Sequence, residues 1–419
     1  MQYVIVGAGP SGVTAAETLR KVDPDATVVL VDGEKDPPYG RMAIPYFLTG
    51  KVPEEGVYLR KGENHFENLG ITYIQDRVKG VSPQDNTLSL ESGETVSFDK
   101  ILIATGSHPI KPPIKGLDRP NIHHCWTLED ARNIAAIAGE GVDVVLMGAG
   151  FIGCIIMEAL ALSGANLTVV EAEDRMVPRM MDQTAGNMIK DWCIEKGVNV
   201  LTSARVNSVD EENGRLSVHV DTGETIAADL IVVATGVRPN AGFLEGSGVE
   251  IESGIKVDNH LKSCVDNIYA AGDVAQGPDF STGEWSVHAV QPTGVEHGRV
   301  AALNMAGKAL DYRGSLNMNV LDTLGLISCS FGLWQGVEGG QSASMLDPEN
   351  YRYTLLNFDG DFLVGALLIG RTEGIGVIRG LIQTRVNLGT WKERLMADPN
   401  LLVQAYIDCT RGDANEDYS

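Results

Sequence analysis

The chain has 419 residues, enough for two or three domains of ordinary size, and its 43% hydrophobic content with 48 glycines suits a tightly turned α/β protein. Against 33 Lys and Arg stand 56 Asp and Glu, and a net charge of −23 repels phosphate backbones and anionic lipid heads, so neither nucleic acid nor a membrane is expected as a partner. The opening MQYVIVGAG enters a strand without a basic leader and the apolar runs are short and broken by glycine, so a soluble, cytoplasmic protein is expected.

In chain order, residues 4–12 read VIVGAGPSG, an apolar strand that meets Gly7, Gly9 and Gly12 and passes into a helical pattern over 13–21. TVVLVD follows and ends at Asp32; PPYGRMAIPYFLTG fills 37–50, neither a clean helix nor a clean strand. Alternating runs at 77–82 and 87–90 read as small antiparallel strands, and SGET at 92–95 leads to Ala104-Thr105-Gly106. The series then repeats. Residues 145–153 read VLMGAGFIG, with Gly148, Gly150, Phe151, Ile152 and Gly153, followed by a helical pattern over 154–163 and by LTVVE ending at Glu171. Alternating runs recur at 205–210 and 216–220, and TGET at 222–225 leads to a second ATG that ends at Gly236. Four matches in one order mark a unit written twice.

Each copy has the parts of a dinucleotide site. The first glycine of GxGxxG makes the tight turn, the second lets the backbone approach a pyrophosphate, and the third packs helix on strand. The free N–H groups at the helix start receive the phosphates, here with Pro10 and Ser11 in the first copy. Asp32 and Glu171 stand where an acidic side chain accepts hydrogen bonds from ribose. Glu171 repels a 2′-phosphate and no arginine follows it before Arg175, so the second site favours NAD over NADP. A redox partner for nicotinamide at the first site points to FAD.

Further on, residues 267–275 read NIYAAGDVA, with Gly272 and Asp273, and 291–307 read QPTGVEHGRVAALNMAG, helical over about 293–306. In the last region, runs at 351–357 and 361–368 alternate like paired strands about Asp359-Gly360, and helices are expected over 373–388 and 390–406. The stretch 371–394 is basic in an acidic chain, with Arg371, Arg379, Arg385, Lys392 and Arg394 against Glu373 and Glu393.

The first fingerprint, both ATG turns and NIYAAGDVA together resemble the FAD- and NAD(P)-dependent pyridine nucleotide oxidoreductases. YGRMAIPYFLTG and the 291–307 helix are similar to the branch of rubredoxin reductases, the flavin part of nitrite reductases and NADH oxidases. The resemblance implies an α/β fold of two Rossmann-like domains, FAD-binding over 1–112 with 241–312 and an inserted NAD-binding domain over 113–240. A small α+β interface domain would fill 313–419. It further implies that Asp273 meets the ribityl and phosphate region of FAD, that Arg41 meets FAD phosphate, and that Met42 and Pro45 lie against the flavin. Val78 and the Ala104–Gly106 turn belong to the same expected set. Gln291, Pro292 and Thr293 open a helix whose dipole would face the flavin N1–O2 edge and stabilise the reduced anion. Two positions depart from the branch. Ile155 stands where a glutamate near the nicotinamide is usual, and Gln291 replaces an aromatic residue.

A third departure bears on the chemistry. Met42 stands where coenzyme A disulfide reductases and NADH oxidases of the family carry a cysteine, and no Cys-x4-Cys pair is present. The six cysteines lie more than 20 residues apart, without a metal-binding spacing, and no metal is expected. All eight histidines lie at or before His297, so the last region lacks the catalytic histidine of the glutathione-type enzymes, and no catalytic residue is assigned. A thioether forms neither thiolate nor disulfide. Flavin electrons would then leave to oxygen, to a small quinone-like acceptor, or to an iron–sulfur or metal centre on another protein. The favoured reading is an FAD-dependent NAD(H) oxidoreductase serving such a partner, without a redox-active cysteine; the NAD-linked flavin subunit of tungsten aldehyde oxidoreductases fits that description. An NADH oxidase or diaphorase-like enzyme is the alternative, and a structural FAD-holding scaffold or redox sensor is the second. The sequence leaves the direction of flow and the oligomeric state open.

Overall fold

The computed structural model describes residues 1–371 and 373–413. It divides into two compact units: Met1–Ile110 with Trp126–Leu128 and Val237–Ser315, and Lys111–Cys125 with Glu129–Gly236 and Leu316–Ser419.

In the first unit, QYVIV, TVVLVD and KILI are apolar on both faces and rich in β-branched residues, the pattern of strands buried in a parallel sheet. They pair accordingly, in the order Ile268–Ala270, Lys100–Ile103, Gln2–Val6, Thr27–Asp32, Ile71–Gln75, all parallel. The order reverses at Gln2–Val6, so the crevice beyond its carboxyl end is the switch point where such sheets take ligands. Helix Pro10–Val22 starts there, with proline in its first turn and Arg20 and Lys21 in its last. It buries Val13, Ala15, Ala16 and Leu19 in the core. Helix Gln291–Met305 approaches it so closely that a Cβ on Gly298 would lie 2.2 Å from the Ser11 carbonyl oxygen.

The second unit repeats the plan. Asn199–Leu201, Asn166–Val170, Asp143–Met147, Leu230–Val233 and Ile122–His124 form a parallel sheet in that order, again reversing at the strand before the glycine loop. Each unit also carries the expected antiparallel excursion, Val78–Ser82 with Thr87–Leu90 and Thr95–Ser97 in one, Val206–Glu212 with Arg215–Val220 and Thr225–Ala228 in the other.

The second unit ends in a five-stranded antiparallel sheet, whose strands Arg352–Asp359 and Phe362–Ile369 turn at Gly360 with φ +55°. Three hydrogen bonds among the described residues tie this region to the second Rossmann-like part, one of them from the Tyr351 hydroxyl to Glu195 Oε1 at 2.5 Å. Tyr353 donates to Asp182 Oδ2 at 2.8 Å, and Trp192 Nε1–H donates to the Leu324 carbonyl at 3.2 Å. The helices expected here are shorter. Ile375–Gln383 stops before Arg385, whose φ is +50°, instead of running to 388. Thr390–Ala397 stops at Asp398-Pro399, because proline cannot supply the next N–H, and a separate helix runs over Leu402–Asp413.

Candidate functional site

The glycines of the two fingerprints are constrained alike. Gly7 and Gly148 both have φ +102°, in the region that favours glycine, and a Cβ there would strike the carbonyl oxygens of Ala104 and Ala234 at 2.3 and 2.6 Å. Gly12 and Gly153 sit where a Cβ would lie 1.8 and 2.1 Å from the carbonyl oxygens of Gly7 and Gly148. Gly9 and Gly150 differ from both, since a Cβ on either meets no protein atom within 4 Å. Each begins a helix, Pro10–Val22 or Phe151–Leu162, with Ile152 in the first turn of the latter and no side chain capping either start. An open cradle over uncapped N–H groups fits a pyrophosphate.

The acidic residues end the neighbouring strands and are both buried, but they are held differently. Asp32 Oδ2 accepts from the Tyr73 hydroxyl at 2.8 Å and Oδ1 from the Glu34 N–H at 3.2 Å. Burial raises its pKa above the usual carboxylate value, against the effect of those bonds. Glu171 reaches back to the loop itself, with Oε2 accepting from the Ala149 N–H at 2.6 Å and Oε1 from the Glu173 N–H at 2.9 Å.

The ATG turns adjoin the first glycines. Ala104 N–H donates to the Val6 carbonyl at 2.8 Å, and Thr105 exchanges hydrogen bonds of 2.7 and 2.9 Å with Asn240. Gly106 and Gly236 take φ of +65° and +115°. In the GD turn a Cβ on Gly272 would lie 2.4 Å from Ser11 Oγ, so this glycine fits directly over the fingerprint helix. Asp273 accepts from the Ser107 hydroxyl at 3.1 Å, and burial raises its pKa while the charge of Arg41 opposes the rise.

Arg41, expected at FAD phosphate, is engaged by protein groups. Its guanidinium pairs with Glu34, donates to the Tyr39 hydroxyl at 2.9 Å and to the Trp126 carbonyl at 2.6 Å, and lies 5.4 Å from both ring centroids. Trp126 Nε1–H in turn donates to the Ser107 carbonyl at 2.8 Å, which links this cluster to the Asp273 side. Met42 is 47% exposed, Pro45 lies in the short helix Ile44–Leu48, and Val78 is buried at the start of its strand. Gln291 and Pro292 open the long helix and are exposed while Thr293 is buried, and Val290 before them supplies no side-chain cap. One turn inward, His297 is 2% exposed and its Nδ1 accepts from the Gly272 N–H at 3.4 Å. Burial, with the charge of His288, lowers its pKa to about 4.

Four of the six thiols are poor nucleophiles. Cys125, Cys154, Cys193 and Cys329 are buried, and burial pushes Cys125, Cys193 and Cys329 up to about 12 and Cys154 well above its ordinary value. Among the described residues no group of three His, Cys, Asp or Glu could hold a metal ion, and no helix is long and apolar enough to cross a membrane.

Motif reading missed Glu34, Tyr73, Trp126 and His297. Tyr39 lies two residues before Arg41 in the YGRMAIPYFLTG segment. Trp126 carries no signal in the sequence, because it joins the first unit from a segment surrounded by second-unit residues.

The family model described as pyridine nucleotide-disulphide oxidoreductase matches residues 1–296. Over 401 residues, 95% of this chain and 95% of the relative, the chain is 31% identical to the NADH-dependent phenylglyoxylate dehydrogenase subunit epsilon of Aromatoleum evansii. It is 30% identical to the rubredoxin-NAD(+) reductase of Pseudomonas putida over 278 residues, 66% of this chain and 72% of that one. Among solved structures, a NAD-dependent persulfide reductase from A. fulgidus superposes with a TM-score of 0.85 at 27% identity, covering 92% of this chain and 77% of that one.

Proposed function

This chain belongs to the pyridine nucleotide-disulphide oxidoreductase family and is an FAD-dependent NAD(H) oxidoreductase, and we propose that it passes electrons between NAD(H) and a separate protein carrying an iron–sulfur or other metal centre. The bound flavin supplies the chemistry, exchanging a hydride with nicotinamide and electrons singly or in pairs with the partner.

The observation that carries the reading is Met42. A half-exposed thioether stands in the segment where disulfide-reducing and oxygen-reducing relatives carry their cysteine, so the chain has no thiol relay there to a small acceptor of its own. The end-to-end likeness to a dehydrogenase subunit and the likeness to a rubredoxin reductase support an acceptor on another polypeptide.

In this reading the FAD domain is 1–112 with 241–312, the NAD domain 113–240 and the interface domain 313–419. Gly7, Gly9, Gly12 and the start of helix Pro10–Val22, with Ser11, hold the FAD pyrophosphate, and Asp32 takes the ribose. Asp273 orients the ribityl side, Arg41 fixes the 34–46 segment through Glu34 and Tyr39, and Met42, Pro45, Val78, Ala104, Thr105 and Gly106 border the cofactor. Gln291, Pro292 and Thr293 present an uncapped helix start to developing negative charge. Gly148, Gly150, Phe151, Ile152, Gly153, Glu171 and Gly236 hold NAD(H). The basic stretch 371–394 is the approach for an acidic partner.

The test is to isolate the protein at its native level, identify what co-purifies, and follow NADH oxidation with that protein or with oxygen as acceptor. Transfer to a co-purifying iron–sulfur or metal protein much faster than to oxygen is the expected result. Recovery of the chain alone, with oxygen as the fastest acceptor, would replace the reading with an NADH oxidase.

A further inference from the structure

We infer that Val177 is a positioning residue for the NAD(H) site, clamping the second glycine loop and the Glu171 carboxylate through a left-handed backbone; this rests on the reading of the second fingerprint as that site. Val177 has φ +49° and is 1% exposed. Among the described non-glycine residues with positive φ, it alone is β-branched. A valine is a poor occupant of that region, where its branched Cβ crowds the backbone, and such residues persist only where their surroundings over-determine them, clustering at active sites, ligand clamps and switch regions.

The surroundings here are hydrogen bonds to the fingerprint. Val177 N–H donates to the Ala149 carbonyl at 2.8 Å, and its own carbonyl accepts from the Met180 and Met181 N–H groups at 2.9 and 3.0 Å. Ala149 lies between the first two fingerprint glycines, and its N–H donates to Glu171 Oε2 at 2.6 Å. The middle of the loop is therefore gripped from both sides. The segment between Glu171 and Val177 is fixed at its other end by a second left-handed residue, Ser203 with φ +53°. Its N–H donates to the Glu173 carbonyl at 2.7 Å, and Ala204 N–H donates to the Glu171 carbonyl at 3.0 Å. Glu171 thus has its backbone and both carboxylate oxygens held, leaving the free lone pairs of a fixed acid for ribose hydroxyls. A right-handed Val177 would turn its carbonyl and the following chain away from the Met180 and Met181 N–H groups, undoing the turn that seats its N–H on Ala149.

The first fingerprint has no such arrangement, since Asp32 is held by Tyr73 and by the Glu34 N–H rather than by its own loop. The clamp is a property of the second site.

Val177→Gly tests it. Glycine adopts φ +49° without strain and keeps the N–H, but it frees the turn to sample other conformations. For the FAD-loaded protein, the Kd for NAD+ or ADP-ribose by titration calorimetry should rise by about three- to tenfold, and KM for NADH with a one-electron dye by a similar factor, with kcat unchanged. The melting temperature should fall as well, because glycine removes a side chain that is fully buried. Val177→Asn, which tolerates the left-handed region but is stiffer than glycine, should fall between. Unchanged Kd and KM in Val177→Gly overturn the clamp, and a lower melting temperature with unchanged Kd assigns Val177 to core packing alone, which overturns it as well. Glu171→Ala separates the levels. If it alters NAD+ affinity while Val177→Gly does not, the clamp fails and the site stands; if neither alters it, the reading of the second fingerprint fails.

Discussion

At the first fingerprint the acidic residue is anchored away from the glycine loop, by the Tyr73 hydroxyl and the Glu34 N–H, whereas at the second it is bonded to the middle of the loop itself. The glycines above them are nearly superposable in role, down to a shared φ of +102°. The two units thus share one backbone cradle and differ in how the acid beside it is held. The helices differ too. Pro10–Val22 is covered by helix Gln291–Met305 with Ser11 at the contact and the buried His297 behind Gly272, whereas Phe151–Leu162 packs against strand Met318–Thr323.

That buried histidine gives the largest expected effect. His297 is neutral in the folded protein, with a pKa of about 4 against 6.5 for a free histidine, so between these values the unfolded chain binds the extra proton. Its contribution is complete above pH 6.5 and declines as pH falls, by about 2 kcal/mol at pH 5 and about 3 kcal/mol near pH 4. Unfolding curves of the parent and of His297→Gln from pH 7 to 4.5 should show a shallower decline in the variant; parallel curves would locate the acid sensitivity elsewhere. Slightly smaller is the effect of filling the two open cradles. Gly9→Ala and Gly150→Ala add a methyl that meets no protein atom, so both should fold. The first should lose bound FAD, read as the flavin absorbance, and the second should keep FAD but reduce it with NADH about 100-fold more slowly. Loss of FAD from Gly150→Ala would mean that the two loops are not independent.

Glu171→Ala should weaken the preference for NADH over NADPH by about tenfold, since it removes both a ribose acceptor and the charge that opposes a 2′-phosphate. Asp32→Ala should leave that ratio unchanged, which sharpens the contrast between the acids. The smallest effect concerns the thiols. Cys264→Ser with Cys409→Ser removes the exposed and the part-buried cysteine, and NADH-to-dye activity should be indistinguishable from the parent. A marked loss would restore a thiol to the mechanism.

Much of this was legible in the sequence because it concerned backbone constraints. Only glycine suits the turns at Gly7 and Gly148, and only a short approach satisfies Gly12 and Gly153, so those residues announce themselves. What stayed hidden depends on partners far along the chain. Trp126 reaches Arg41 across 85 positions, and no local pattern marks a backbone carbonyl as an acceptor. Val177 was illegible for the opposite reason, since its residue type argues against the conformation it holds. The overlong helix over 390–406 was a misreading, because Pro399 in its interior is a stop signal that the apolar spacing masked.

Asp182 caps helix Gln183–Glu195 through Oδ1, accepting from the Ala185 N–H at 2.8 Å, while Oδ2 takes the Tyr353 hydroxyl. One carboxylate thus both starts a helix of the nucleotide-binding part and moors a strand of the final sheet. That sheet is therefore no interchangeable cassette. A chimera that imported 316–413 from a relative without a tyrosine at the position of Tyr353 would leave half of Asp182 unsatisfied beside a new interface. Descent by swapping of parts is constrained at this seam, and substitutions at 182 and 353 are expected to travel together among the chain's own kin.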